Sequence, residues 1–94
     1  MQINHPGRQM PAALGQQTLA PSAVALDLGA QSKLFMAPRE MDEADIADAE
    51  RRFVATAKLA EQAGFTGVEI HAAHGYLLSQ FLSPLSNRRQ DKWG

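Results

Sequence analysis

The stretch GVEIHAAHGYLLSQFLSP, Gly67 to Pro84, decides how the whole chain is read. Val68 to Ile70 has the composition of a short buried strand, and YLLSQFLS, closed by Pro84, reads as a short helix. Between them stand His71, His74 and Tyr76, the last being the chain's single tyrosine. Upstream, MDEADIADAERRFVATAKLAEQAG, Met41 to Gly64, carries the clearest helical pattern in the sequence. Ile46, Ala49, Phe53, Ala57, Ala60 and Ala63 recur at spacings of three and four, which puts them on one face, and the small alanines predict close approach to a neighbour. Asp42 is placed to cap this helix and Met41 to pack on Ile46 as a hydrophobic staple, while Gly64 suits the left-handed residue that ends it.

At the other end, MQIN is a brief strand-like run halted by His5-Pro6-Gly7. From His5 to Met41 no periodicity persists, because Pro11, Pro21, Pro38, Gly15 and Gly29 interrupt it. A connection of that length points to a lid or binding loop, within which an extended piece such as SAVAL, Ser22 to Leu26, is a candidate for local pairing. The order strand, long loop, helix, strand, short helix contains a βαβ unit, and hence a parallel sheet. Two parallel strands do not make a fold, since such sheets are covered on both faces. The expectation is therefore an α/β chain that is one piece of a larger architecture.

Composition narrows the function classes. With 94 residues, 45% apolar and 20% charged, the chain is of single-domain length and ordinary for a globular protein. A net charge of −1 supplies no attraction for nucleic acid or an anionic membrane. The Arg51-Arg52 and Arg88-Arg89 pairs each lie beside acidic residues and read as solvated surface or local ion pairs. The absence of cysteine excludes disulfides and thiolate chemistry and favours a cytoplasmic setting. MQINHPGRQ lacks the apolar core of a signal peptide, and nowhere do apolar residues run long enough to span a membrane.

The histidines and the tyrosine fall at the C-terminal end of a parallel strand, where α/β folds place their active sites. Two imidazoles can direct two N–H donors at one oxygen, and Gly75 gives the turn freedom to bring the Tyr76 phenol to the same side. A phenol can donate a proton to a carbanion, so the cluster suits a reaction in which a carbonyl oxygen gains negative charge. Two other readings stand beside it. The histidines could ligate zinc, although HAAH lacks the glutamate of the zinc-protease motif and needs a third ligand such as His5; no metal is assigned. They could also be structural, with Tyr76 packing at the start of the short helix. Spacing alone does not separate these readings.

Five motifs in series, QINHPGRQ, APSAV, PREMDEADI, AGFTGVEIHAAHGYLLSQFLSP and NRRQDKWG, resemble the Old Yellow Enzyme family of FMN-dependent oxidoreductases, in particular its bacterial ene-reductases and 2,4-dienoyl-CoA reductases. The resemblance covers essentially the whole chain. It implies a (β/α)₈ barrel of which residues 1–94 make up roughly the third and fourth βα units, with no separate second domain; a complete barrel takes roughly 250 residues. Met1 then stands within the third strand and Gly94 before the helix after strand four. The resemblance further implies that Gln2 bonds the pyrimidine edge of FMN, that His71 and His74 hold the substrate carbonyl oxygen, and that Tyr76 protonates the α carbon. By the same resemblance the reductant is expected to be NADH or NADPH, with the flavin passing hydride from N5 to the β carbon of an activated alkene such as an enone. His5, Gly7 and Arg8 are expected to shape the turn after the first strand, and Asn87, Arg89 and Asp91 to tie down the loop after the short helix. Trp93 lines the substrate mouth or packs. A homo-oligomer of the full-length enzyme stays open, as does a non-catalytic barrel fragment that folds only with a partner.

Overall fold

The computed structural model describes residues 1–94. Two short parallel ladders carry the chain. In the first, β1 (Gln2–Ile3) pairs with β4 (Glu69–Ile70) in the register Gln2 opposite Glu69 and Ile3 opposite Ile70. Helix α1 (Glu43–Gln62) lies between them in sequence and packs on β1, completing the expected βαβ unit. Ile3, 6% exposed, is buried on the face opposite Gln2, as the alternation of a strand requires.

The local signals around α1 operate as the sequence predicts. The Asp42 carboxylate accepts the Asp45 N–H at 2.8 Å, and Asp45 accepts the Asp42 N–H at 2.9 Å, a reciprocal capping box made with aspartate in place of the usual glutamate. Arg39 grips the same Asp45 carboxylate with two nitrogens at 2.8 and 2.9 Å. That bond, followed by the one from the Asp42 backbone, holds the Asp45 carboxyl down at about 2. Met41 and Ile46 are both buried and form the small core together with Leu77, so the staple joins α1 to the elements downstream. At the other end Gly64 has φ +92; its N–H bonds Glu61 O at 3.0 Å and the Phe65 N–H bonds Ala60 O at 3.1 Å, the paired bonds of a Schellman motif.

The long connection holds a second parallel ladder, in which β2 (Leu19–Ala20) pairs with β3 (Arg39–Glu40). The expected piece SAVAL forms no strand, and the pairing segment lies just ahead of it. Pro21 explains the shift: without an N–H it cannot continue a ladder, and it ends β2 at Ala20. Three 3₁₀ turns, Gly7–Gln9, Ala12–Leu14 and Gly29–Leu34, fill the remainder. Val68 stays outside β4, and Ile70 is 45% exposed rather than buried.

Helix α2 (Leu77–Leu82) follows β4 closely and stops at Ser83, which is extended as a residue before proline must be. Leu77 and Gln80 face inward, and Trp93 packs half-buried against the Met41–Ile46–Leu77 core. Of the two readings given to the Arg88-Arg89 pair, Arg89 takes the local ion pair, with Asp91: its side chain is only 6% exposed and also donates to Pro21 O at 2.8 Å and Met41 O at 2.6 Å. Arg51 and Arg52 do remain on the surface, both paired with Asp48. Asn87 donates to Phe81 O and Trp93 O, so the final loop is fastened through side-chain bonds to backbone as expected. No helix is long and apolar enough to cross a membrane.

Candidate active site

The β1–β4 ladder fixes where the site begins. His71 donates its backbone N–H to Ile3 O at 2.9 Å, which seats it at the C-terminal end of the sheet one residue beyond β4. The alternation of strand side chains puts His71 on the face shared by Glu69 and Gln2. Gln2 uses its amide there to donate to the Glu69 carboxylate at 2.7 Å.

Beyond His71 the chain turns sharply. Tyr76 N–H bonds Ala73 O at 3.2 Å across a turn whose central residues, His74 and Gly75, have φ +56 and +70. Positive φ at both positions is the pattern of a type I′ turn, which strongly favours Asn-Gly. His74 is the sole non-glycine residue of the chain with positive φ, and a left-handed conformation at such a residue costs about 1–3 kcal/mol that the surroundings must offset.

This turn returns Tyr76 toward the histidines. The His71 and His74 rings lie 4.9 Å apart between centroids, Tyr76 lies 5.3 Å from His71 and 6.2 Å from His74, and all three are mutually tilted. The structure thus brings together the three residues that the sequence singled out. His71 is buried, Tyr76 half-buried and His74 exposed. Chemically, the arrangement offers two imidazoles and a phenol to one small volume beside the end of a sheet, and an oxygen placed there can accept from more than one donor. His5 stands apart from the trio, with its Nδ1 accepting the Gly7 N–H at 3.0 Å, and no group of three His, Asp or Glu side chains gathers to hold a metal ion.

Two glutamines that the sequence reading passed over hold the site in shape. Gln9, on the loop after β1, donates through Nε2 to His74 O at 2.9 Å and Gly75 O at 2.8 Å. Gln80, 1% exposed, donates through Nε2 to Gly75 O at 2.8 Å and Pro6 O at 3.2 Å and accepts the Arg8 N–H on Oε1. Leu77 N–H adds a bond to His5 O at 3.0 Å, so the loops after β1 and β4 are stitched at several points. The fit is close: a Cβ on Gly7 would meet the Gln80 amide at 2.4–2.8 Å, and one on Gly75 would meet Gln9 Nε2 at 2.9 Å. Gln80 was detectable, because it follows Leu77 by three and therefore shares the inward face of α2. Gln9 carried no such signal.

Known proteins resemble this chain along its whole length. The family model for the NADH:flavin oxidoreductase / NADH oxidase family matches residues 1–94. Among similar proteins, the NADH-dependent flavin oxidoreductase iliE of Neonectria sp. is 48% identical over 106 residues, and the match covers 100% of this chain and 14% of that protein. The NADPH dehydrogenase of Clostridium acetobutylicum is 46% identical over 94 residues, covering 100% of this chain and 26% of that protein. The chain thus spans about a quarter or less of these relatives. Morphinone reductase superposes with a TM-score of 0.90 at 31% identity, over 99% of this chain and 28% of that one. A 2-naphthoyl-CoA reductase complex gives 0.87 at 30% identity, over 98% and 15%. With motifs, fold and full-length match in agreement, the chain belongs to the NADH:flavin oxidoreductase / NADH oxidase family, as the Old Yellow Enzyme resemblance implied.

Proposed function

We propose that residues 1–94 are the third and fourth βα units of an FMN-binding barrel domain that reduces an activated alkene, such as an enone, at the expense of NADH or NADPH. The observation that carries this reading is the convergence of His71, His74 and Tyr76 at the C-terminal end of β4, with ring centroids 4.9–6.2 Å apart. In the balanced reaction, alkene, NAD(P)H and one proton give the saturated product and NAD(P)⁺. FMN, when bound, supplies the hydride that reaches the β carbon. His71 and His74 donate hydrogen bonds to the carbonyl oxygen, where negative charge develops as the β carbon is reduced. By the scale of oxyanion donors, losing one of them costs about 2.7–4 kcal/mol of transition-state stabilisation. Tyr76 delivers the proton to the α carbon.

Gln2 suits the flavin's pyrimidine edge, which presents an N–H between two carbonyl oxygens, because a carboxamide is both donor and acceptor. It lies on the polar face that it shares with Glu69 and His71, where its amide now donates to the Glu69 carboxylate. The residues present therefore fit one edge of the cofactor and the substrate's oxygen.

The test uses a complete barrel in which residues 1–94 replace the matching quarter of the Clostridium NADPH dehydrogenase. Tyr76→Phe should slow reoxidation of the reduced flavin by an enone at least tenfold while leaving its reduction by NADPH within about twofold, since only the first step needs the proton. Equal slowing of both steps, or of neither, contradicts the assigned role.

A second reading, that the isolated chain is a non-catalytic piece which folds only against a partner, is favoured by one feature. An open groove of about 790 Å³, lined by Phe53, Val54, Ile70, Phe81 and Leu82 among others, runs between α1, β4 and α2. In the barrel reading that partner is the remaining βα units.

A further inference from the structure

We propose that Gln9 is the positioning residue of the histidine–tyrosine group, and that its amide sets where His74 and Tyr76 meet the substrate. This rests on the reading that His74 donates to the substrate's carbonyl oxygen and Tyr76 protonates its α carbon. The starting point is the strained turn. His74 holds φ +56 although it has a Cβ, and Gly75 follows at φ +70. In an extended chain successive carbonyls point in opposite directions; two successive left-handed residues turn both carbonyls to the same side. A single amide nitrogen with two hydrogens complements that arrangement, and Gln9 Nε2 supplies it at 2.9 Å to His74 O and 2.8 Å to Gly75 O.

The His74 imidazole is exposed, and its position follows from the backbone that carries it. If the turn relaxes to negative φ at His74, the imidazole swings away from His71 and the start of α2 moves Tyr76 with it. Gln80 cannot replace Gln9 in this respect. Its Nε2 bonds Gly75 O and Pro6 O but leaves His74 O to Gln9 alone. The clamp also crosses from the loop after β1 to the loop after β4, 65 residues apart at its ends, so the chain segment that begins at Gln2 bears on the geometry of the proton donor.

The experiment uses the same complete chimaeric barrel and two replacements of similar length. Gln9→Met removes both N–H donors, whereas Gln9→Lys keeps a group able to donate to both carbonyls. Stopped-flow rates are taken separately for flavin reduction by NADPH and for flavin reoxidation by an enone. Gln9→Met should slow reoxidation at least tenfold with flavin reduction within about twofold, and Gln9→Lys should restore reoxidation to within about threefold. Equal slowing of both half-reactions in Gln9→Met marks a merely structural role and overturns the proposal. Should Gln9→Met fail to fold, Gln9→Lys decides: reoxidation impaired more than tenfold in that folded variant overturns the proposal, and preserved reoxidation supports it. Tyr76→Phe in the same assay separates the two levels of argument. If it has no selective effect on reoxidation, the functional reading falls; if it has one and Gln9→Met does not, only the positioning role falls.

Discussion

At the scale of the single residue, His5 shows how an ionisable group is spent on shape. Its Nδ1 accepts the Gly7 N–H, which only a neutral imidazole can do, and burial followed by the nearby Arg52 charge pushes its pKa below the ordinary 6.5. Because the folded value lies below the unfolded one, the contribution is fully present above pH 6.5 and is lost as pH falls through the folded value. His5→Asn keeps an acceptor for an N–H two residues on and does not titrate. Melting temperatures between pH 7.5 and 4.5 should therefore fall less steeply for the variant than for the parent barrel; parallel curves would rule this out. His74 makes the complementary point. Sequence identified it as a candidate donor, but not as a residue held with positive φ, because His-Gly is a much weaker turn signal than Asn-Gly.

Among elements, α1 was legible nearly to the residue, since cap, staple and C-terminal glycine each act within about a turn of the helix end they set. Its predicted face was less exact: Ile46 and Ala60 are buried, Phe53 only partly, and Ala63 is exposed. The groove that Phe53 lines accounts for its partial exposure, because a helix face is buried only where a neighbour exists to cover it. The final loop depends on Arg89, whose guanidinium links Pro21 O, Met41 O and Asp91 and so joins the end of β2, the start of α1 and the C-terminal segment. Arg89→Met keeps the stem but leaves two carbonyls without their charged donor. It should destabilise the complete barrel by about 2–3 kcal/mol in urea unfolding, with an unchanged m-value; a change below about 0.5 kcal/mol contradicts this role.

For the molecule as a whole, the burial decides what residues 1–94 can do alone. Only 14 of 94 residues are buried, while Leu59, Leu82 and Leu85 stand 63–77% exposed, so the apolar area withdrawn from water is small against the entropy of ordering the chain. The radius of gyration is 14.1 Å, against about 12 Å for a compact chain of this length, and the molecule is a slab of 42 × 31 × 21 Å. The isolated segment should accordingly unfold without a sharp transition by circular dichroism and should fail to retain FMN after gel filtration. A yellow, folded sample that reduces an enone with NADPH would sink that expectation. Sequence by itself determined the order and kind of the principal elements, the parallel βαβ unit and the candidates His71, His74 and Tyr76, because caps, periodicity and turn residues are local and act over a few positions. Tertiary structure alone decided that Leu19–Ala20 pairs with Arg39–Glu40, that Arg89 is buried, and that Gln9 and Gln80 clamp the turn bearing the histidine. Gln9 reaches His74 across 65 positions and Arg89 reaches Pro21 across 68, and a long-range hydrogen bond leaves no periodic trace in either partner's neighbourhood.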